Sequence, residues 1–478
     1  MMKRFIFSGI TLMMGILMFT RCEKDVPKPE NNNGDTTTAI SSQIKYINNW
    51  IEYVMNAVYY WDDYLPDNLN PNTEPDPEEY FKKLLYSSDH FSWITDDFEA
   101  LMSEIEGISV SMGYSPSFGR YTNSDGVFMI VEYVIPGSPA DSAGLKRGDI
   151  IVSINGIDLD IDNYYDLYKL TSYSVTYGVL TDDGIAKTDS TVSMVAQEVV
   201  LDPVIYKDVI ELGDLKIGYL VYVEFKSGKS NEFNDSLGLV FDEFAAAGID
   251  ELVVDLRYNP GGVLSATAYL ASAIAPLSVV QANEVMVRFE YNDYWNNVFL
   301  QEEGTNSENL VLRFPQNDHN INLNRVYFLT TRGTASASEF LMTGLYPYMN
   351  VVQVGENTYG KYAGAWVIPD LEDPPKHNWG LVPIVFKYAN ANGFTDFEDG
   401  LVPNYYIEDE LIGALPFGNL QDPVLNMALQ VIQGTKSGLP ALKSEKPAYS
   451  FERIDDEISR YKRNLFVLPA TEDLSLKK

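Results

Sequence analysis

Ser336 sits in Gly333-Thr-Ala-Ser-Ala-Ser-Glu339, a run of small residues between the strand-like segment Arg325–Thr330 and the helix-like segment Ala335–Tyr346. Small neighbours allow close backbone approach and expose a hydroxyl at the turn. The helix that follows aims free N–H groups and the positive end of its dipole at the same spot. Such a place suits a nucleophile whose reaction creates an oxyanion. A serine needs a base. None of His90, His319 and His377 falls in a comparable loop, whereas Lys361 does, 25 residues after the serine in Gly355-Glu-Asn-Thr-Tyr-Gly-Lys361. A lysine acts as a base only when neutral, and desolvation in a closed apolar site lowers its pKa by up to several units from about 10.4.

The elements around these residues alternate. Ile217–Phe225, Glu251–Leu256, Arg325–Thr330 and Val351–Val354 read as strands; Asn231–Ala247, Gly262–Ala275 and Ala335–Tyr346 read as helices. That order predicts an α/β fold with crossover units on a mixed, largely parallel sheet. Three stretches follow strands: Asp255-Leu-Arg-Tyr-Asn-Pro-Gly-Gly262, the serine stretch and the lysine stretch. Sites in open α/β sheets form at the carboxyl ends of strands. Asp255 and Arg257 are expected to be a buried structural pair, Ser338 a cap or packing residue, and the histidines surface or structural residues.

Ahead of this core, Ile44, Ile47, Ile51, Val54, Val58 and Trp61 recur at steps of three and four, one helical face. Asp76-Pro77-Glu78-Glu79 starts a second helix, with Asp76 as N-cap. Residues 41–102 therefore read as a small helical domain, its Tyr/Trp-rich stretch being core packing. In the next region Val127–Val134 is a strand, Pro139 opens and Gly144 closes a short helix, and Ile150–Ile154 ends in the hairpin signal Asn155-Gly156.

The chain has 478 residues, 45% of them hydrophobic and 13% aromatic, which excludes wholesale disorder, and its formal net charge of −34 argues against a nucleic-acid partner. The single cysteine, Cys22, permits no intrachain disulfide and no Cys-rich metal cluster; no metal and no cofactor are expected. Lys3 and Arg4 precede an apolar run from Phe5 to Phe19, the length of a signal-peptide core. Thr20-Arg21-Cys22 follows, and Cys22 resembles the acylated cysteine of a bacterial lipoprotein. The expected organisation is a signal peptide over 1–21, a flexible Pro/Asn/Thr-rich linker over 22–40, the helical domain over 41–102 and a C-terminal extension over 434–478 with a helix at Phe451–Leu465. Export to the cell envelope and a membrane tether through Cys22 are the corresponding localisation and partner.

Residues 103–200, through Gly137-Ser-Pro-Ala-Asp-Ser-Ala-Gly-Leu-Lys-Arg-Gly-Asp-Ile-Ile-Val-Ser-Ile-Asn-Gly156, resemble a PDZ domain. The resemblance implies β-augmentation by an extended peptide, with Gly107, Ile108 and Val110 in the peptide-binding segment. Through the three strand-end stretches, residues 105–430 resemble the C-terminal processing, or tail-specific, serine peptidases, which pair a Ser-Lys dyad with a PDZ domain on a crotonase-like core, here expected over residues 201–433. Carried over, Ser336 is the nucleophile, Lys361 the general base and Glu339 an acidic residue orienting the dyad, while the Gly261 and Ala337 amides form the oxyanion hole. The implied activity is endopeptidase cleavage of unfolded or C-terminally presented polypeptides. Two positions depart from the family pattern: Ala365 stands where many members carry glutamine, and Asn404 replaces an aspartate. They support a second reading, a non-catalytic cell-surface lipoprotein that binds peptides or glycans on a protease-like scaffold. The oligomeric state is left open by the sequence.

Overall fold

The spacing of apolar residues near the start produces the helix Ser42–Val58, capped by Ser41 and burying Ile47, Ile51, Val54, Met55 and Val58. The computed structural model describes residues 40–122, 124–435, 451–454 and 467–469. The expected signal peptide, Cys22 and the linker up to residue 39 lie outside them. Asp76 accepts the Glu78 and Glu79 amides and Pro77 occupies the first position of the helix Pro77–Leu84, as its sequence predicts. These helices bury their apolar faces in the cluster that holds Leu220, Leu252, Phe328 and Phe340 of the α/β core. Each Ile, Val or Met so buried contributes about 1.5–3 kcal/mol. The strand Trp93–Thr95 extends this attachment by pairing antiparallel with Gly380–Val382.

The main sheet runs in the order Val204–Leu212, Leu215–Tyr222, Glu251–Asp255, Arg325–Thr330, Asn350–Gly355, Tyr405–Tyr406. The first pair is antiparallel and the others are parallel. The helices Glu232–Ala247, Leu264–Ile274 and Ala337–Leu345 supply crossovers, as the alternation predicts. Register matters most here. Asp255 stands opposite Leu329, and Thr330 opposite Gly355, so three neighbouring strands end level with one another. The three loops singled out above all leave from this edge. A second sheet contains Ala363–Val367, the strand that begins two residues after Lys361, paired with Ile384–Asn390 on one side and Val467–Pro469 on the other.

A third sheet carries Tyr114–Tyr121, Val127–Val134, Ile150–Ile154, Ser172–Thr181 and Gly184–Val195 as successive antiparallel neighbours. Ser138 caps Pro139–Ala143 and Gly144 closes it in the left-handed conformation, φ 85°. Asn155 and Gly156, φ 51° and 77°, form the hairpin turn with both residues at positive φ.

Two expectations change. Phe451 begins a strand, Phe451–Arg453, which pairs antiparallel with Tyr114–Tyr121; the rest of the expected helix falls outside the described residues. An open sheet edge offers that segment a backbone ladder, which outweighs its weak helical preference. Gly107, Ile108 and Val110 lie off the third sheet: Ile108–Ser111 pairs with Gln197–Val200 in a two-stranded sheet of its own. Among the described residues no helix is long and apolar enough to cross a membrane.

Candidate active site

The three strand-end loops are stitched together by short polar side chains. Thr334 Oγ1 donates to the Leu256 carbonyl at 2.7 Å and Thr331 Oγ1 donates to the Arg257 carbonyl. The Ala335 amide and the Ser338 hydroxyl both donate to the Asn259 carbonyl, each at 3.1 Å. Ser338 is thus a packing residue, as expected. The Tyr359 amide donates to the Thr334 carbonyl at 2.9 Å and draws in the lysine loop.

Beneath this frame lies the expected buried pair. Arg257 and Asp255 are joined through Nη2 and Oδ2 at 2.7 Å, and Arg257 also reaches Asp409 and Asp422 at 2.8 and 3.1 Å. The three carboxylates keep the guanidinium charged despite its burial, and the charges of Arg257 and Arg147 hold Asp409 below the usual carboxylate range against its own desolvation. This cluster anchors the loop from which Gly261 projects.

Ser336 is the N-cap of Ala337–Leu345 and takes the unusual backbone conformation φ 59°, ψ −110°. The strained turn aims the side chain inward: the residue is buried and its Oγ has no hydrogen-bond partner. A buried hydroxyl with nothing to bond is costly unless it serves a purpose. Ala337 holds the first helical position, where an N–H has no intrahelical acceptor.

Glu339, one turn into the helix, looks back at the serine. Its Oε2 accepts the Ser336 amide at 2.8 Å and the Lys361 amide at 2.9 Å; its Oε1 accepts the Gly360 amide at 2.7 Å and the Thr358 hydroxyl at 2.5 Å. One carboxylate therefore ties the serine turn to the lysine loop. Gly360 is required there: its φ is 106°, and a Cβ would lie 2.2 Å from the Glu398 carbonyl oxygen. Gly400 meets Thr358 in the same way, at 2.0 Å, so the segment around Asp399 clamps the lysine loop. Asn404, further along, holds the neighbouring strand Asn350–Gly355 instead: its Oδ1 accepts the Gln353 amide at 2.8 Å. Ala365 is buried in the core, four residues beyond the lysine.

Ser336, Glu339 and Lys361 are each 0% exposed, and this decides their electrostatics. Desolvation lowers Lys361 to about 7, opposed by the charges of Asp89 and Glu339. Desolvation likewise raises Glu339 to about 7, against four donors that favour its anion. Because every one of those four contacts is a donor, the arrangement suits an ionised carboxylate.

Sequence reasoning did not find the other side of the lysine. Its Nζ lies over the Phe91 ring, 5.5 Å from the centroid. Asp89 holds that loop by accepting the Phe91 and Ser92 amides at 2.9 and 3.0 Å and the Tyr59 hydroxyl at 2.8 Å. Asn259 was also missed. Its Oδ1 accepts the Gly261 amide at 2.9 Å, and its Nδ2 donates to the Tyr222 carbonyl at 2.8 Å. The Asx-turn signature of Asn-Pro-Gly is the signal that points to it. The Gly261 amide expected to face an oxyanion is thus turned to Asn259. The glycine itself stands where expected, since a Cβ on it would lie 2.8 Å from Ser336 Cβ. Beside it, Ile105, Glu224, Phe225, Lys226, Gly262 and Val263 line a small cleft.

Comparison with known proteins fits this frame. Residues 216–407 match peptidase family S41, residues 46–93 the peptidase S41 N-terminal domain and residues 130–175 a PDZ domain. A carboxyl-terminal-processing protease of Picosynechococcus sp. is 26% identical over 334 residues, which cover 69% of this chain and 70% of the relative. That of Synechocystis sp. is 24% identical over 352 residues, 71% of this chain and 72% of the relative. A crystal structure from Bacteroides fragilis assigned to the S41 proteases aligns with TM-score 0.67 and 28% identity over 81% of this chain and 98% of that one. The fold and its site define a serine-type peptidase with an attached PDZ domain. Its residues 216–407 are similar to peptidase family S41, and the two relatives above are C-terminal processing proteases.

Proposed function

We propose that the chain is an endopeptidase that cleaves unfolded or C-terminally presented polypeptides with Ser336 as nucleophile and Lys361 as general base. The observation that carries this reading is the pair of backbone bonds from Ser336 and Lys361 to one oxygen of Glu339, in a site where all three residues are buried. Neutral Lys361 takes the Ser336 hydroxyl proton as Oγ attacks the scissile carbonyl carbon. The Ala337 amide holds the oxyanion, joined by the Gly261 amide when it exchanges Asn259 Oδ1 for it. The resulting ammonium of Lys361 returns the proton to the leaving amine, giving an acyl-enzyme and a free amino terminus. Water, deprotonated by the same lysine, then releases the acid and restores the serine. Glu339 positions both loops without moving a proton itself.

The PDZ domain delivers the peptide by strand addition, and the chain works as an exported enzyme, tethered to the cell envelope through Cys22. Ser336→Ala tests the chemistry: cleavage of a permanently unfolded protein is lost while the thermal unfolding midpoint stays within a few degrees. Undiminished cleavage by that variant contradicts the assignment.

A further inference from the structure

In the PDZ sheet, Tyr114–Tyr121 is bounded on one side by Val127–Val134, and on the other by the chain's own Phe451–Arg453. The tail segment sits as an added peptide would, extended and antiparallel, with Phe451 opposite Tyr121, Glu452 opposite Arg120 and Arg453 opposite Gly119. The Ile454 amide continues the ladder, donating to the Phe118 carbonyl at 2.9 Å. Side chains add a specific fit. The Phe451 ring packs edge-on against Phe128 and Tyr121, with centroids at 4.8 and 5.4 Å. Glu452 receives two bonds from Arg120, at 2.9 and 2.7 Å, and Arg453 meets Glu132 at 3.0 Å.

From these contacts we infer that residues 451–454 are a tethered ligand of the PDZ edge, so that an incoming polypeptide must displace them before it adds there. The inference rests on the PDZ-delivery part of the proposed function. Strand addition takes affinity from main-chain hydrogen bonds and specificity from side chains on the strand, and both are already satisfied in cis. The contact is built to yield. The ladder is three residue pairs long, and the Arg120–Glu452 pair is 47% and 57% exposed, which leaves it weak and sensitive to salt. A tethered competitor nevertheless acts at an effective concentration fixed by its linker, so free peptide has to exceed that level. A second tail strand, Val467–Pro469, lies parallel to Ala363–Val367, the strand that follows Lys361. The tail therefore meets both the peptide-adding edge and the lysine strand.

The test compares the full chain with its Phe451→Asp and Glu452→Lys variants by hydrogen exchange and by steady-state kinetics. Tyr121 donates inward to Gly126, so by strand alternation the Arg120 amide faces the tail. The inference predicts exchange at Arg120 about tenfold faster or more in both variants, and protection restored by a synthetic peptide of residues 448–456. With a carboxymethylated, permanently unfolded protein as substrate, it predicts KM lower by about threefold or more with kcat unchanged, reversed by the same peptide. Unaltered exchange at Arg120 in both variants overturns the docking, whatever the activity. Faster exchange with unaltered KM overturns the competition with substrate. A wild-type chain that cleaves nothing counts against the proposed function, and the exchange arm, run on that chain, still decides whether the tail occupies the edge.

Discussion

Ser336 and Lys361, from two different strand-end loops, donate their backbone amides to the same oxygen, Oε2 of Glu339, at 2.8 and 2.9 Å. The bond pair fixes the turn that carries the hydroxyl against the loop that carries the amine, and it does so through the main chain. Side-chain motion at either residue therefore leaves the relation between the loops intact. For the proposed mechanism this is preorganisation: the two groups assigned to it start from a frame that the reaction does not need to build.

The acid limb of the pH profile follows from the burial of Lys361. Only the neutral amine accepts a proton, and the group is lowered to about 7, so kcat/KM rises with pH and levels off above about 7. Asp89 raises the lysine against the desolvation that lowers it. Asp89→Asn therefore moves the midpoint of the limb to lower pH, measured on kcat/KM across pH 5 to 9. A midpoint that stays put removes Asp89 from the electrostatics of the site.

Stability carries the same signature. In the unfolded chain Lys361 keeps its proton up to its ordinary value of 10.5, whereas in the folded chain it loses it near 7. Between these values the unfolded state binds more protons, so this residue makes stability rise with pH, by at most about 1.4 kcal/mol per unit. Lys361→Met removes that dependence. Denaturant titrations predict a variant more stable than wild type at pH 7, with the gap narrowing toward pH 10.

Glu339→Gln replaces one acceptor oxygen by an amino group that faces N–H or O–H donors. Two donors lose their partner inside the core, at a cost of about 2–4 kcal/mol, and the two loops lose their common anchor. Thermal unfolding and kinetics together check this: the midpoint falls, and kcat falls by about 10²-fold with KM much less affected.

How much of this was legible in the sequence differs by residue. Ser336 and Lys361 were readable because each follows a strand, and strand ends in a parallel sheet converge; Glu339 came from the family resemblance alone. The strand–helix order and the caps at Asp76, Ser138 and Gly144 were readable because they are local. Asp89 and Phe91 were not. They lie far from Lys361 in the chain, and packing of the N-terminal helices into the main core is a long-range fact that no periodicity encodes. The direction of the Gly261 amide was hidden because it depends on which acceptor wins, and the Asn259 side chain sits two residues away. The strand at Phe451 was hidden because its partner is an edge some 330 residues upstream, and loop closure of that length leaves no local trace. Asn404 reads as a lost aspartate in sequence and as a backbone clamp on Gln353 in the structure.

Gly261→Ala probes the crowding beside Ser336. The glycine has φ 115°, and the added methyl would lie 2.8 Å from Ser336 Cβ and 3.0 Å from the Ala337 nitrogen. Strain and displacement together are expected to cost about 1–3 kcal/mol of stability and about 10²-fold in kcat. A variant with full kcat separates this turn from the chemistry.

Lys361 as the base of Ser336 is tested by the rate at which a fluorophosphonate modifies the protein, followed by mass spectrometry of the labelled peptide in wild type and in Lys361→Arg. A buried serine activated by a neutral lysine gives one adduct, on Ser336, whose rate climbs with pH to a plateau above about 7 and falls by about 10³-fold or more in Lys361→Arg, because arginine stays protonated. An adduct on another residue, or equal labelling of Ser336 in both proteins, contradicts the account.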